Sequence, residues 1–147
     1  MTTLQSAALG ALILLGGCSS LPFAGGEEAP ARPACAAQSV TVYFQPDSEA
    51  LPATAQPIVR QAVEIVEACR AQGGDLVMAT IHAFPDEGET GEQAERAAVS
   101  RAETVLRGLI EAGMPADRVR GIYAPNAPEN APDQVMRRRA DIALEMR

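Results

Sequence analysis

Ser39-Val40-Thr41-Val42-Tyr43-Phe44-Gln45-Pro46-Asp47-Ser48 is the stretch from which the fold can be read. Val40, Val42 and Phe44 alternate with Thr41 and Tyr43, the two-residue period of a strand with one buried face, and Pro46-Asp47-Ser48 breaks the pattern. Past the break the period becomes helical. Val59, Ala62, Val63 and Val66 share one face, widened by Ile58, Ile65 and Cys69, which predicts a helix up to about Ala71. Pro57 places the helix start near it or makes the first turn irregular, and Gly73-Gly74 supplies the stop. Leu76 to Ala83, a short apolar run between turn residues, reads as a second strand. After the acidic loop Pro85 to Gly91, a second helix runs from Glu92 to Ala112, with Ala98, Ala102, Val105 and Leu109 inward, Leu106 and Ile110 flanking them, and Gly113 as its stop. Arg118 to Ala124 forms a third strand and Pro125 to Pro132 a loop. Arg138 to Met146 forms the last strand, with Ala140, Ile142, Leu144 and Met146 on its apolar face. The order is β-α-β-α-β-β without an internal repeat, which predicts an α+β two-layer sandwich of two helices on a mixed four-stranded sheet.

The 147 residues are enough for one domain, and the composition bounds its partners. All 12 cations are arginines, and 19 acids bring the net charge to −7. That balance argues against a protein that neutralises phosphates over a broad basic face, so nucleic acid is not an expected partner. It also disfavours adsorption to anionic lipid. No apolar run reaches the roughly 20 residues that span a bilayer.

Leu4 to Gly17 is the one sustained apolar run, and it ends in Leu15-Gly16-Gly17-Cys18 followed by Ser19-Ser20. This layout is that of an export signal. It resembles the lipobox of bacterial lipoproteins, which implies cleavage before Cys18, acylation of Cys18 and a lipid-anchored protein; Ser19, rather than Asp, resembles lipoproteins sorted to the outer membrane. The alternatives are an ordinary signal peptide cut near Gly17 and a buried helix with a chance cysteine. Residues 1–17 are thus expected to be a signal peptide, and the Pro-, Gly- and Ala-rich residues 18–37 the lipidated cysteine and a flexible tether. Residues 38–147 form the folded domain. Acylation accounts for the odd cysteine of the three, and an oxidising periplasm would let Cys35 and Cys69 pair. Two independent buried thiols are the other reading. A zinc site is disfavoured because two cysteines and the distant His82 do not make a ligand set.

Several local features together resemble the OmpA-like carboxy-terminal domain, also found in the peptidoglycan-associated lipoprotein. Val42-Tyr43-Phe44-Gln45-Pro46-Asp47-Ser48-Glu49-Ala50-Leu51 is similar to that family's first strand and turn, Asp86 and Arg101-Ala102 fall at the separation of its ligand-binding motif, and Arg138-Arg139-Ala140-Asp141-Ile142 is similar to its last strand. The resemblance covers about Ser39 to Met146 and implies non-covalent binding of the wall peptide. Asp86 would accept hydrogen bonds from the ammonium of diaminopimelate and Arg101 would clasp its carboxylate, with Phe44 and Gln45 lining the same pocket. Ala83-Phe84-Pro85-Asp86 stands where the family has Gly-His-Thr-Asp, Ala94 where it has the helix-opening Asn, and Ala97-Ala98 where it has Leu-Ser. These substitutions support a second reading, an OmpA-like domain that docks onto envelope proteins without holding peptidoglycan.

Each candidate residue also has a plainer role. Asp86 and Arg101 would make an ordinary loop-to-helix salt bridge. Glu87, Glu89, Glu92 and Glu95 crowd the start of the second helix, where acids suit the helix dipole, and read as a solvated acidic cap; a calcium site lacks its loop spacing. His82 reads as a packed or half-exposed strand residue. Ser100 and Asp86 make no hydrolase triad with it, since no nucleophile elbow is present. Arg137-Arg138-Arg139 reads as a strand start. No enzyme activity, cofactor or metal is expected.

Overall fold

A computed structural model describes residues 32–86, 89–124 and 138–147. Cys18, the proposed signal, most of the proposed tether, the loop after the third strand and Arg137 lie outside the described residues. The elements are β1 (Gln38–Tyr43), α1 (Gln56–Ala71), β2 (Leu76–Ala83), α2 (Gly91–Glu111), β3 (Val119–Tyr123) and β4 (Arg139–Met146). They follow the expected order, and their ends lie within one or two residues of the expected ones because terminal turns and strand ends are the least determined by periodicity. Pro57 sits in the first turn of α1, where its missing N–H costs nothing. Asp47 takes a left-handed conformation (φ 53°) in the turn after β1, one that a short polar side chain tolerates.

The sheet order is β1-β4-β2-β3. β4 runs antiparallel to β1 and to β2, while β3 runs parallel to β2, so the sheet is mixed. The chain reaches β3 from β2 through α2, as a parallel crossover requires. Val42, Ala79, Ile81, Ala83, Ala140, Ile142 and Leu144 form the buried face of the sheet. Against it pack Val59, Ala62, Val66 and Cys69 of α1 and Ala98, Ala102, Val105 and Leu109 of α2. Ile58, Val63, Ile65 and Leu106 are partly buried at the edges of this core. Small residues let helix and sheet approach closely: a Cβ at Gly121 of β3 would stand 3.1 Å from the Cβ of Ala102.

Cys35 and Cys69 are joined, their Cα atoms 4.7 Å apart, which fastens a single 3-10 turn (Pro33–Cys35) to the end of α1. Gly74 passes directly over the bridge, where a Cβ would overlap both sulfurs and the carbonyl oxygen of Arg147. At the start of β2 a bulge between Leu76 and Met78 shifts the register against β4. The Arg118 guanidinium donates to the carbonyls of Leu76 (2.7 Å) and Val77 (3.3 Å), so the irregular backbone keeps partners.

Candidate functional site

β4 begins where β1 and β2 end, since it is antiparallel to both: Tyr43 is paired with Arg139, and Ala83 with Ala140. The chain beyond each strand end continues the pairing, with the Phe44 N–H donating to Arg138 O at 2.9 Å and the Phe84 N–H to Arg139 O at 3.0 Å. Phe44, Phe84, Arg138 and Arg139 therefore meet at one end of the sheet. From α2, Arg101 enters the same place on the face that also buries Ala97, Ala98 and Ala102. Its burial follows from helical spacing: it lies three residues after Ala98 and four before Val105.

Arg101 is 0% exposed, an exceptional position for a charge, and it is held on several sides. Nη1 donates to the Phe84 carbonyl at 3.0 Å, and the guanidinium carbon lies 5.8 Å from the centre of the Phe44 ring. Both terminal nitrogens reach one carboxylate, Nη1 to Glu89 Oε2 and Nη2 to Glu89 Oε1, each at 3.3 Å. This is the bidentate fork that an arginine offers and a lysine does not. Among the described residues Arg101 Nε is buried without a hydrogen-bond partner.

Asp86 stands in the same loop with its side chain 20% exposed, and its Oδ2 accepts from Arg138 Nη1 at 3.3 Å. Its backbone N–H donates to Glu89 Oε2 at 2.6 Å, and its carbonyl accepts from the Glu89 N–H at 3.1 Å, so the two residues are bonded reciprocally. Beside it, Arg139 lies over the Phe84 ring (4.8 Å to the centre), and its Nε donates to both oxygens of Asp141 at 3.1 and 3.0 Å. Asp141 also accepts from the Thr41 hydroxyl at 2.8 Å.

Of the residues singled out in the sequence, the fold brings Arg101, Phe44 and the Asp86 loop to one place. Gln45 is exposed just past β1 and makes no hydrogen bond to Arg101. The loop-to-helix ion pair of Arg101 is made with Glu89 rather than Asp86. Glu89 is accordingly no part of a solvated cap: its side chain is 14% exposed. Glu92 and Glu95 are exposed, and Glu92 pairs with Arg96 one helical turn along. Glu87 lies outside the described residues. His82 is half-buried on the sheet face opposite the core, paired in register with Asp141. Among the described residues no cluster of three His, Cys, Asp or Glu side chains is placed to hold a metal. The residues that sequence reasoning missed are Glu89, Arg138, Arg139 and Phe84. The three-residue interval from Asp86 to Glu89, the spacing of a reciprocal side-chain and backbone turn, was the one signal that marked Glu89.

A mixed four-stranded sheet covered by two helices in this order defines the OmpA-like fold. The chain matches no protein-family model and no curated protein. Among solved structures, it is similar to the peptidoglycan-associated lipoprotein from Burkholderia pseudomallei, with TM-score 0.60 and 22% identity over 71% of this chain and 89% of that one. The OmpA-like domain of FopA1 from Francisella tularensis superposes with TM-score 0.61 at 13% identity, over 76% of each chain. The periplasmic domain of Helicobacter pylori MotB gives 0.54 at 15% identity, over 74% of this chain and 76% of that one.

Proposed function

We propose that this chain is a non-catalytic lipoprotein of the cell envelope that binds peptidoglycan without covalent chemistry. The carrying observation is Arg101, a fully buried guanidinium whose terminal nitrogens turn outward to a carboxylate, with the Asp86 carboxylate in the adjoining loop. An α-amino acid head group is a zwitterion, and one fixed guanidinium fork with one fixed carboxylate recognises it while leaving uncharged amides aside. Arg101 clasps the carboxylate of diaminopimelate in the wall peptide, and Asp86 accepts from its ammonium. In this reading Phe44, whose ring centre lies 5.8 Å from the guanidinium carbon, and Gln45 line the pocket. The name of the Burkholderia neighbour, a peptidoglycan-associated lipoprotein, supports the same reading.

Acylated Cys18 would hold the domain on the periplasmic side of the outer membrane through a tether shorter than the expected residues 18–37, because the bridge to Cys69 makes the Pro33–Cys35 turn part of the folded domain. Among the described residues no helix is long and apolar enough to cross a membrane. Sedimentation of the full chain with purified peptidoglycan tests this reading. The wild type is expected in the pellet and Asp86→Ala and Arg101→Ala in the supernatant, whereas binding that survives both changes contradicts the site. A second reading, a docking module for envelope proteins, is favoured by one observation: Arg101 and Asp86 already have partners within the chain, Glu89 and Arg138. A wild type that stays in the supernatant favours it.

A further inference from the structure

The atoms around Glu89 describe a receptor for a carboxylate. Three donors converge on its two oxygens: Arg101 Nη1 and Nη2 at 3.3 Å, and the Asp86 backbone N–H at 2.6 Å. The receptor is built before anything binds, because Arg101 is fixed by the Phe84 carbonyl and the Phe44 ring. It is also within reach of solvent, since the Glu89 side chain is 14% exposed although the guanidinium beneath it is wholly buried. Glu89 lies outside α2, just before the Thr90 cap, so its side chain can rotate away without disturbing a helical turn. We propose that Glu89 fills, from within the chain, the seat of the ligand's carboxylate and competes with it for Arg101 and the Asp86 N–H. The inference rests on the proposed function, and it sharpens it: Glu89 sets the apparent affinity and keeps the buried arginine paired when no ligand is present. An apolar group or an amide does not displace a carboxylate from three such donors, so the seat selects anionic head groups. Ligand affinity is lowered by the fraction of molecules in which the seat is taken.

Two measurements on the full chain test this, with acetate as the probe of the seat and purified peptidoglycan as the probe of function. Glu89→Ala leaves the donors in place and removes their occupant. Acetate at about 100 mM is expected to raise the melting temperature of Glu89→Ala by about 4 °C over equimolar chloride, and to leave the wild type unmoved. Equal responses of the two proteins overturn the proposal. Glu89→Gln, which keeps the side chain's shape and weakens its hold, is expected to bind peptidoglycan about fivefold tighter than the wild type. Equal or weaker binding by Glu89→Gln, with wild-type binding still dependent on Arg101, overturns the competition and leaves the proposed function standing. Acetate rescue without peptidoglycan binding by any form supports the carboxylate seat and overturns peptidoglycan as what fills it.

Discussion

Arg101 and Glu89 form an unequal pair: the guanidinium is wholly buried and the carboxylate 14% exposed, so the arginine depends on the pairing more than the glutamate does. Replacing Arg101 with Ala leaves the Phe84 carbonyl without its buried donor and a gap where the guanidinium stood, and is expected to cost about 2 kcal/mol in the urea-unfolding free energy. Arg101→Lys keeps the charge but not the fork, so it is expected to recover part of the stability and none of the bidentate geometry. The site was half legible at this scale. Asp86 and Arg101 stood out by their resemblance to the OmpA-like ligand-binding motif, but which acid the arginine meets depends on how the loop turns, and four glutamates at one helix start look alike in a sequence. Gly74 shows the same limit. It read as a helix stop, yet its backbone lies against the disulfide, and Gly74→Ala is expected to lower stability by about 2 kcal/mol, checked by thermal unfolding.

The junction from α1 into β2 depends on one exposed carboxylate. Asp75 accepts from Arg70 Nε at 3.2 Å and from the Leu76 N–H at 2.9 Å, and its backbone pairs in both directions with Arg147 at the end of β4. The Arg70 hydrogen bond, then the Leu76 N–H, holds its carboxyl below the ordinary value of 3.8. A group whose folded pKa is lowered stabilises the fold above its unfolded pKa, and the contribution fades as pH falls through the folded one. Urea titrations of wild type and Asp75→Asn are expected to differ at pH 6 and to converge as pH falls below about 4. A gap that persists in acid would contradict the assignment. The neighbouring bulge was not visible in Leu76 to Ala83, where the apolar pattern predicts a regular strand. Arg118, forty residues further on, supplies its donors, and Arg118→Ala is expected to cost about 1 kcal/mol by the same titration.

Across the whole molecule, the Cys35 to Cys69 bridge closes a loop of sequence separation 34 over a core composed largely of Ala and Val. Its removal in a Cys35→Ala, Cys69→Ala double variant is expected to cost about 3 to 4 kcal/mol, seen as a lower melting temperature that reductant no longer changes. The element order, the buried faces of β1, α1, β2, α2 and β4, and thus the mixed sandwich followed from the sequence, because period two and period 3.6 are local properties of the chain. Asp86, Arg101 and Phe44 were singled out by the resemblance to the OmpA-like motifs. Tertiary structure alone decided that β4 enters between β1 and β2, and this insertion brings Arg138 and Arg139 to the ends of both strands. It alone gave Arg101 to Glu89 and Asp86 to Arg138. Ion-pair partners are chosen by distance and burial across elements far apart in sequence, and no periodicity along the chain encodes them.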